Sequence, residues 1–173
     1  FHHGIQVGNY SIPTGNSPYR DEDIFFYELT STSMEEFVYD NVNDYYAYMP
    51  SYFQRPDKAL PLQNGYNVAI WNLYLQKRFG FQILKQQWEL IPSISAIVAI
   101  NNSILNASSS FPGELNKFAI WTYYTNFRAI PESYFEEAAN YPLITPTTVL
   151  TFTPPQQTAN MTSRPTANNF IKL

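Results

Sequence analysis

Apolar residues recur at three- and four-residue steps along several stretches of the chain, the spacing that places them on one face of an α-helix. The clearest stretch begins at Tyr66 and ends before Gly80, a residue type that commonly terminates helices. The same spacing predicts further helices over residues 23–40, 81–90, 93–105 and 111–125. Pro131 suits a first helical turn and predicts a short helix over residues 131–139.

The pattern changes after Tyr141, where Thr and Pro become frequent and the helical period is lost. Residues 147–153 have the composition of a short strand, and the last residues, NNFIKL, alternate in polarity like the opening of another. We therefore predict a helical lobe over residues 1–140, followed over residues 141–173 by a Thr- and Pro-rich linker and the first strand of a β domain. The predicted fold class is α+β, mainly α.

Composition narrows the classes of function. Of 173 residues, 14% are charged, against about 25% in an average globular protein, and the net charge is −4. Without a basic cluster, the sequence argues against a nucleic-acid partner. The longest apolar run, residues 94–100, is far shorter than the roughly 20 residues of a membrane span. Because cysteine is absent, His, Asp and Glu are the strong metal ligands that remain.

Both histidines of the chain, His2 and His3, lie in the opening string FHHGIQ. An adjacent pair at a terminus is by itself a weak signal, and an exposed pair or a tag remnant is the commoner explanation. A second block, FFYELTSTSMEE over residues 25–36, strengthens the functional interpretation because it places Glu28 directly after an aromatic run.

These two blocks, together with GYNVAIWNLYLQKRFG over residues 65–80, resemble a family of large, secreted bacterial zinc metallopeptidases of the gluzincin type. FHHGIQ is similar to the end of that family's HExxH helix, with His3 as the second histidine of the motif. The resemblance covers residues 1 to about 130. In the second block and after it, the family pattern is matched at Glu28, Thr30, Thr32, Met34, Glu35, Val38, Tyr39, Asp40, Asn43, Asp44 and Tyr45.

The resemblance implies that His3 is the second imidazole ligand of a zinc ion and that Glu28 is its third protein ligand. It also implies a first histidine and a general-base glutamate ahead of Phe1, and therefore a larger precursor or a companion chain as partner. With two of three ligands, the chain alone is predicted not to hold catalytic zinc. A secreted or cell-surface location follows from the resemblance, and the low charged fraction agrees with it.

Two other interpretations stay open. Leu29, Ser31 and Ser33 stand where the family has Gly, Ala and Trp, and these departures favour a non-catalytic extracellular module, built on a degenerate metallopeptidase scaffold within a larger protein assembly. A glycan-binding domain is the third interpretation, based on aromatic and amide content alone.

Three further side chains have a structural and a functional interpretation. Tyr66 opens the clearest helix and is placed to direct its hydroxyl toward the site, but a structural role is favoured because the chain has 14 tyrosines. The tandem Glu35 and Glu36 favour a solvated helix face.

Overall fold

The computed structural model describes residues 3–6, 21–151 and 160–173. Its α-helices are α1 (Ile24–Val38), α2 (Pro50–Gln54), α3 (Ile70–Phe79), α4 (Phe81–Leu90), α5 (Ala96–Asn106) and α6 (Phe111–Tyr123), and residues 3–6 are also helical. Short 3-10 helices span Asp21–Asp23, Asp44–Ala47, Leu60–Leu62, Tyr66–Val68, Asn126–Arg128 and Ala138–Asn140. Strands β1 (Thr148–Val149) and β2 (Ile171–Lys172) pair in parallel. The predicted fold class, α+β and mainly α, is confirmed.

The helix ends follow from local chemistry. Gly80 ends α3 at φ 77°, a backbone angle that favours glycine, and α4 begins at the next residue. The Ser110 hydroxyl caps α6 by accepting the amide of Gly113. Asp23 precedes α1, and its carboxylate accepts the amide of Ala96 at 2.8 Å, which ties the beginning of α1 to the beginning of α5.

The core lies between the helices and is strongly aromatic. Helix α1 packs against α3, α3 against α4, α4 against α5, and α5 against α6. Trp71 of α3 is fully buried, stacks on Tyr74, and meets Phe118 of α6 edge to face with ring centroids 5.1 Å apart. From α1, Phe26 and Leu29 enter the same core.

The segment after residue 140 lies against the helical part near α2. The amide of Thr145 donates to the carbonyl of Phe53 at 2.8 Å, and the amide of Asn168 donates to the carbonyl of Pro56 at 2.9 Å. Leu60 donates to the carbonyl of Thr166 at 3.0 Å. These hydrogen bonds join distant parts of the chain, while the boundary near residue 140 and the β domain stay predictions.

Two sequence predictions need comment. The helix predicted over residues 131–139 is wrong: the segment forms turns, and Glu132 has φ 63°, which a right-handed helix does not allow. Of the strand predicted over residues 147–153, β1 forms at Thr148–Val149, and residues 152–153 lie outside the described residues, as do His2 and residues 7–20. Within the described ranges, each helix is too short or too polar to cross a bilayer.

Candidate metal site

His3 and Glu28 meet at the surface of the helical part. His3 lies on the helical turn formed by residues 3–6 and Glu28 lies in the second turn of α1. Imidazole Nε2 and carboxylate Oε2 are 3.3 Å apart. The His3 side chain is 48% exposed and the Glu28 side chain 20%, so solvent reaches the pair from the His3 side. The two residues that the sequence predicts as metal ligands are therefore brought together.

Gln6 fixes the orientation of the His3 ring. Its side chain is buried, and its amide nitrogen donates to the carbonyl of Tyr27 at 3.1 Å. The amide oxygen consequently faces His3, where it lies 2.7 Å from Nδ1. A carbonyl oxygen only accepts hydrogen bonds, so Nδ1 carries the proton, and in neutral His3 the Nε2 lone pair points toward Glu28.

A neutral Nε2 and an ionised carboxylate both present lone pairs, which repel each other unless a cation lies between them. When an imidazolium donates a hydrogen bond to a carboxylate, its nitrogen typically lies about 2.7–2.9 Å from the oxygen. This is shorter than the distance between His3 Nε2 and Glu28 Oε2. Tetrahedral zinc, with ligand bonds of about 2.0–2.2 Å, separates neighbouring ligand atoms by about 3.4 Å. Oε2 of Glu28 is also buried without a hydrogen-bond donor. The distance between Nε2 and Oε2 is therefore compatible with a shared zinc ion as well as with a long hydrogen bond.

Tyr66 completes the surroundings of Glu28. A hydrogen bond with the Glu28 carboxylate, followed in size by burial, raises the pKa of the Tyr66 phenol to about 12. The ring of Tyr48 lies against that of Tyr66, with centroids 5.2 Å apart. The Tyr66 phenol thus lies beside one of the predicted metal ligands, a position that the sequence did not favour.

Gly65 makes the approach of Tyr66 to Glu28 possible. Its φ is 89°, and a Cβ at this position would lie 2.4 Å from the carbonyl oxygen of Phe25 and 2.6 Å from Cβ of Glu28. Any larger residue would push the loop away from α1. The glycine therefore sets the distance between the Tyr66 loop and the helix that carries Glu28.

Two of the three departures from the family pattern are buried in the helical part. Leu29 is fully buried in the core. Ser33 is buried as well, where its hydroxyl donates to the carbonyl of Thr30 and accepts the side-chain amide of Asn72 at 3.0 Å. Ser31 is half-buried. Leu29 and Ser33 thus contribute to packing between α1 and α3.

The sequence missed a second group of carboxylates. Glu36 lies near Glu137, whose carboxylate accepts a hydrogen bond from the buried Tyr45 at 2.6 Å. Burial first, and then the charges of Glu137, Asp40 and Glu136, raise the pKa of Glu36 to about 7. Glu36 is thus only partly solvated. Asp40 is four residues away, but Glu136 and Glu137 are too distant in sequence for helical spacing to reveal.

Within the described ranges, no three His, Asp or Glu side chains converge as a metal-binding group, so His3 and Glu28 form a pair and not a complete ligand set. Comparison with known proteins adds no relative: the sequence matches no family model and no curated protein, and the fold matches no solved structure.

Proposed function

We propose that this chain is the helical part of a secreted zinc metallopeptidase of the gluzincin type and carries two protein ligands of its catalytic metal, His3 and Glu28. The observation that supports the proposal most directly is the 3.3 Å approach of His3 Nε2 to Glu28 Oε2. Residues far apart in sequence, from two different helical segments, thereby present a nitrogen and an oxygen at the spacing of zinc ligands.

Each of the four residues has a distinct role in the proposal. His3 provides a neutral imidazole nitrogen and Glu28 a carboxylate oxygen. Gln6 holds the His3 tautomer through Nδ1, and Tyr66 orients the Glu28 carboxylate by hydrogen bonding. Bound zinc at such a site lowers the pKa of its water to about 7 and so supplies the nucleophile for peptide-bond hydrolysis.

The other residues of the catalytic site are also part of the proposal. The resemblance places the first histidine ligand and the general-base glutamate ahead of Phe1, either in a larger precursor or in a companion chain. Accordingly, the helical lobe is proposed to be active only when joined to that segment. A secreted or cell-surface location belongs to the same proposal, and the low charged fraction of 14% supports it.

Elemental analysis of the protein in its natural assembly tests the proposal. We expect about one zinc per chain, and we expect peptidase activity on an unstructured protein substrate to be lost on chelation and restored by zinc. Glu28→Gln should lose the zinc, because an amide oxygen is a far weaker ligand than a carboxylate. The matched control is Glu35→Gln, which removes the same charge from an exposed position of α1 and should retain it.

The non-catalytic alternative makes the opposite prediction. If the scaffold serves only as a structural or interaction module, the assembly contains no zinc, and Glu28→Gln leaves its composition and properties unchanged. An assembly without zinc and without chelator-sensitive activity would overturn the metallopeptidase proposal.

A further inference from the structure

A cleft of about 390 Å³ beside α2 gathers positive charge in a chain whose net charge is −4. Three of the ten basic residues of the sequence line it: Arg55, Lys58 and Arg164. They come from the end of α2, the turn after it, and a segment more than a hundred residues further along the chain. The cleft is separate from the pair formed by His3 and Glu28.

The positive charge in the cleft is only partly neutralised. Arg55 donates to both carboxylate oxygens of Asp57, at 2.9 and 3.2 Å. Among the described residues, no carboxylate lies within ion-pair distance of Lys58 or Arg164, although the pKa of Asp57 is lowered by its hydrogen bond with Arg55 and also by the charge of Arg164. Because three cations lie beside one carboxylate, the cleft has a net positive charge. The cations repel one another, and a bound anion relieves this repulsion.

Hydrogen bonds on buried side chains hold the cations in place. The side-chain amide of Gln63 donates to the backbone carbonyls of Arg55 and Lys58, at 3.3 and 3.1 Å. Asn67 is also buried, and its amide nitrogen bridges Ser51 Oγ and Gln63 Oε1 at 2.9 and 2.8 Å. This network fixes the backbone that carries two of the three cations before any ligand binds.

Backbone hydrogen bonds formed by residues shortly after Arg164 hold its segment against the cleft. Asn168 donates to the carbonyl of Pro56, and Thr166 accepts the amide of Leu60. The convergence of the three cations therefore follows from the fold and does not depend on flexible side chains alone.

We propose that this cleft binds the carboxylate or sulfate group of an acidic saccharide. A guanidinium group matches the two oxygens of such an anion, and Lys58 adds a point charge. All the side chains that line the cleft are polar, with amides and a hydroxyl to pair with sugar hydroxyl groups. Many peptides are recognised through apolar grooves and single-stranded nucleic acids through aromatic stacking, and the side chains that line the cleft provide neither. This inference is independent of the metal site.

Titration of the full chain by calorimetry and by NMR tests the proposal. The probes are a galacturonic acid trisaccharide, a sulfated chondroitin disaccharide, a neutral trisaccharide of the same length, inorganic sulfate, and an Asp-Glu dipeptide. We expect binding of one or both acidic saccharides, weaker at higher salt, with shifts of the Arg55 and Arg164 side-chain Nε–H signals, and no binding of the neutral sugar.

Two substitutions and a control locate the binding. Lys58→Gln and Arg164→Gln should each weaken binding of the acidic saccharide by about tenfold or more. Lys77→Gln removes the same charge from an exposed position of α3 and should leave the affinity unchanged. The proposal is overturned if acidic and neutral sugars bind equally, if sulfate or the dipeptide binds as tightly as the saccharides, or if Lys77→Gln weakens binding as much. The wild-type arginine signals provide a readout that does not depend on how the variants fold.

Discussion

Two glutamates of this fold, Glu114 and Glu28, each have a tyrosine as a neighbour, but they differ in how many hydrogen bonds their carboxylate oxygens accept. Glu114 of α6 is fully buried and accepts hydrogen bonds from Tyr74, Arg78, Lys117 and Ser109. Burial alone would raise its pKa, but the hydrogen bonds, that from Lys117 foremost, outweigh it and lower the pKa of Glu114 to about 2.

Glu28 has Tyr66 and an imidazole as neighbours, and its buried Oε2 lacks a hydrogen-bond donor. Buried polar atoms in proteins nearly always have partners, so the Glu28 carboxylate is less completely hydrogen-bonded than is usual for a buried group, whereas the Glu114 carboxylate is saturated. The comparison therefore separates a carboxylate that stabilises the contact between α3 and α6 from the one that we propose as a metal ligand.

The largest expected effect is on stability. Glu114→Ala should lower the free energy of unfolding by about 2–4 kcal/mol, because it leaves a cavity in the core and the buried Tyr74 hydroxyl without its partner, while Arg78 and Lys117 can turn to solvent. In metal-free protein, Glu28→Ala should change it by less than about 1 kcal/mol. Urea unfolding of both variants measures the difference, and equal losses would remove the distinction between the two sites.

The second largest expected effect, also on stability, concerns the contact between Gly65 and α1. Gly65→Ala should destabilise the protein by about 1–3 kcal/mol, since the new methyl group overlaps the Phe25 carbonyl and Cβ of Glu28. Gly80→Ala is the control, because Gly80 also has a positive φ but faces open space. Thermal or urea unfolding should show the larger loss for Gly65→Ala; the reverse order would mean that the Tyr66 loop is not held against α1.

The Gln6 contact is tested through metal affinity. Gln6→Leu removes the acceptor that holds Nδ1 of His3, and it should weaken zinc binding by the natural assembly about 10–100-fold. Gln6→Glu keeps a hydrogen-bond acceptor at this position and should weaken zinc binding less than Gln6→Leu does. Competition with a zinc chelator measures both affinities, and identical values would contradict a role for Gln6 in setting the tautomer.

The smallest effect concerns Glu36. Its folded pKa of about 7 lies above the ordinary value of 4.5, so between these pH values the folded state binds more protons than the unfolded state. Protonation of Glu36 should therefore contribute to the free energy of unfolding, and this contribution should decrease as the pH rises from about 4.5 to about 7. Glu36→Gln should remove this contribution. Urea unfolding at several pH values checks it, and an unchanged pH dependence would contradict the burial of the carboxyl group.

Periodicity predicted α1 and α3 to α6 because their buried stripes recur at helical spacing. The helix predicted from Pro131 over residues 131–139 does not form, since Glu132 has a positive φ and Phe135 enters the core from a turn. His3 and Glu28 were identified from a motif resemblance, not from periodicity. The contacts of Gln6 and Tyr66 depend on tertiary distances, and the approach of Tyr66 depends on the φ of Gly65, which a sequence pattern does not specify.

NMR of the His3 imidazole during zinc titration tests the central claim most directly. With the natural assembly labelled with ¹⁵N and freed of metal, we expect His3 to be the Nδ1–H tautomer, and we expect zinc to shift its Nε2 signal. His2→Ala should retain that shift and Glu28→Gln should lose it at the same zinc concentration. If zinc instead shifts Nδ1, or shifts Nε2 equally in the wild type and in Glu28→Gln, then His3 and Glu28 do not share a cation and the account is wrong.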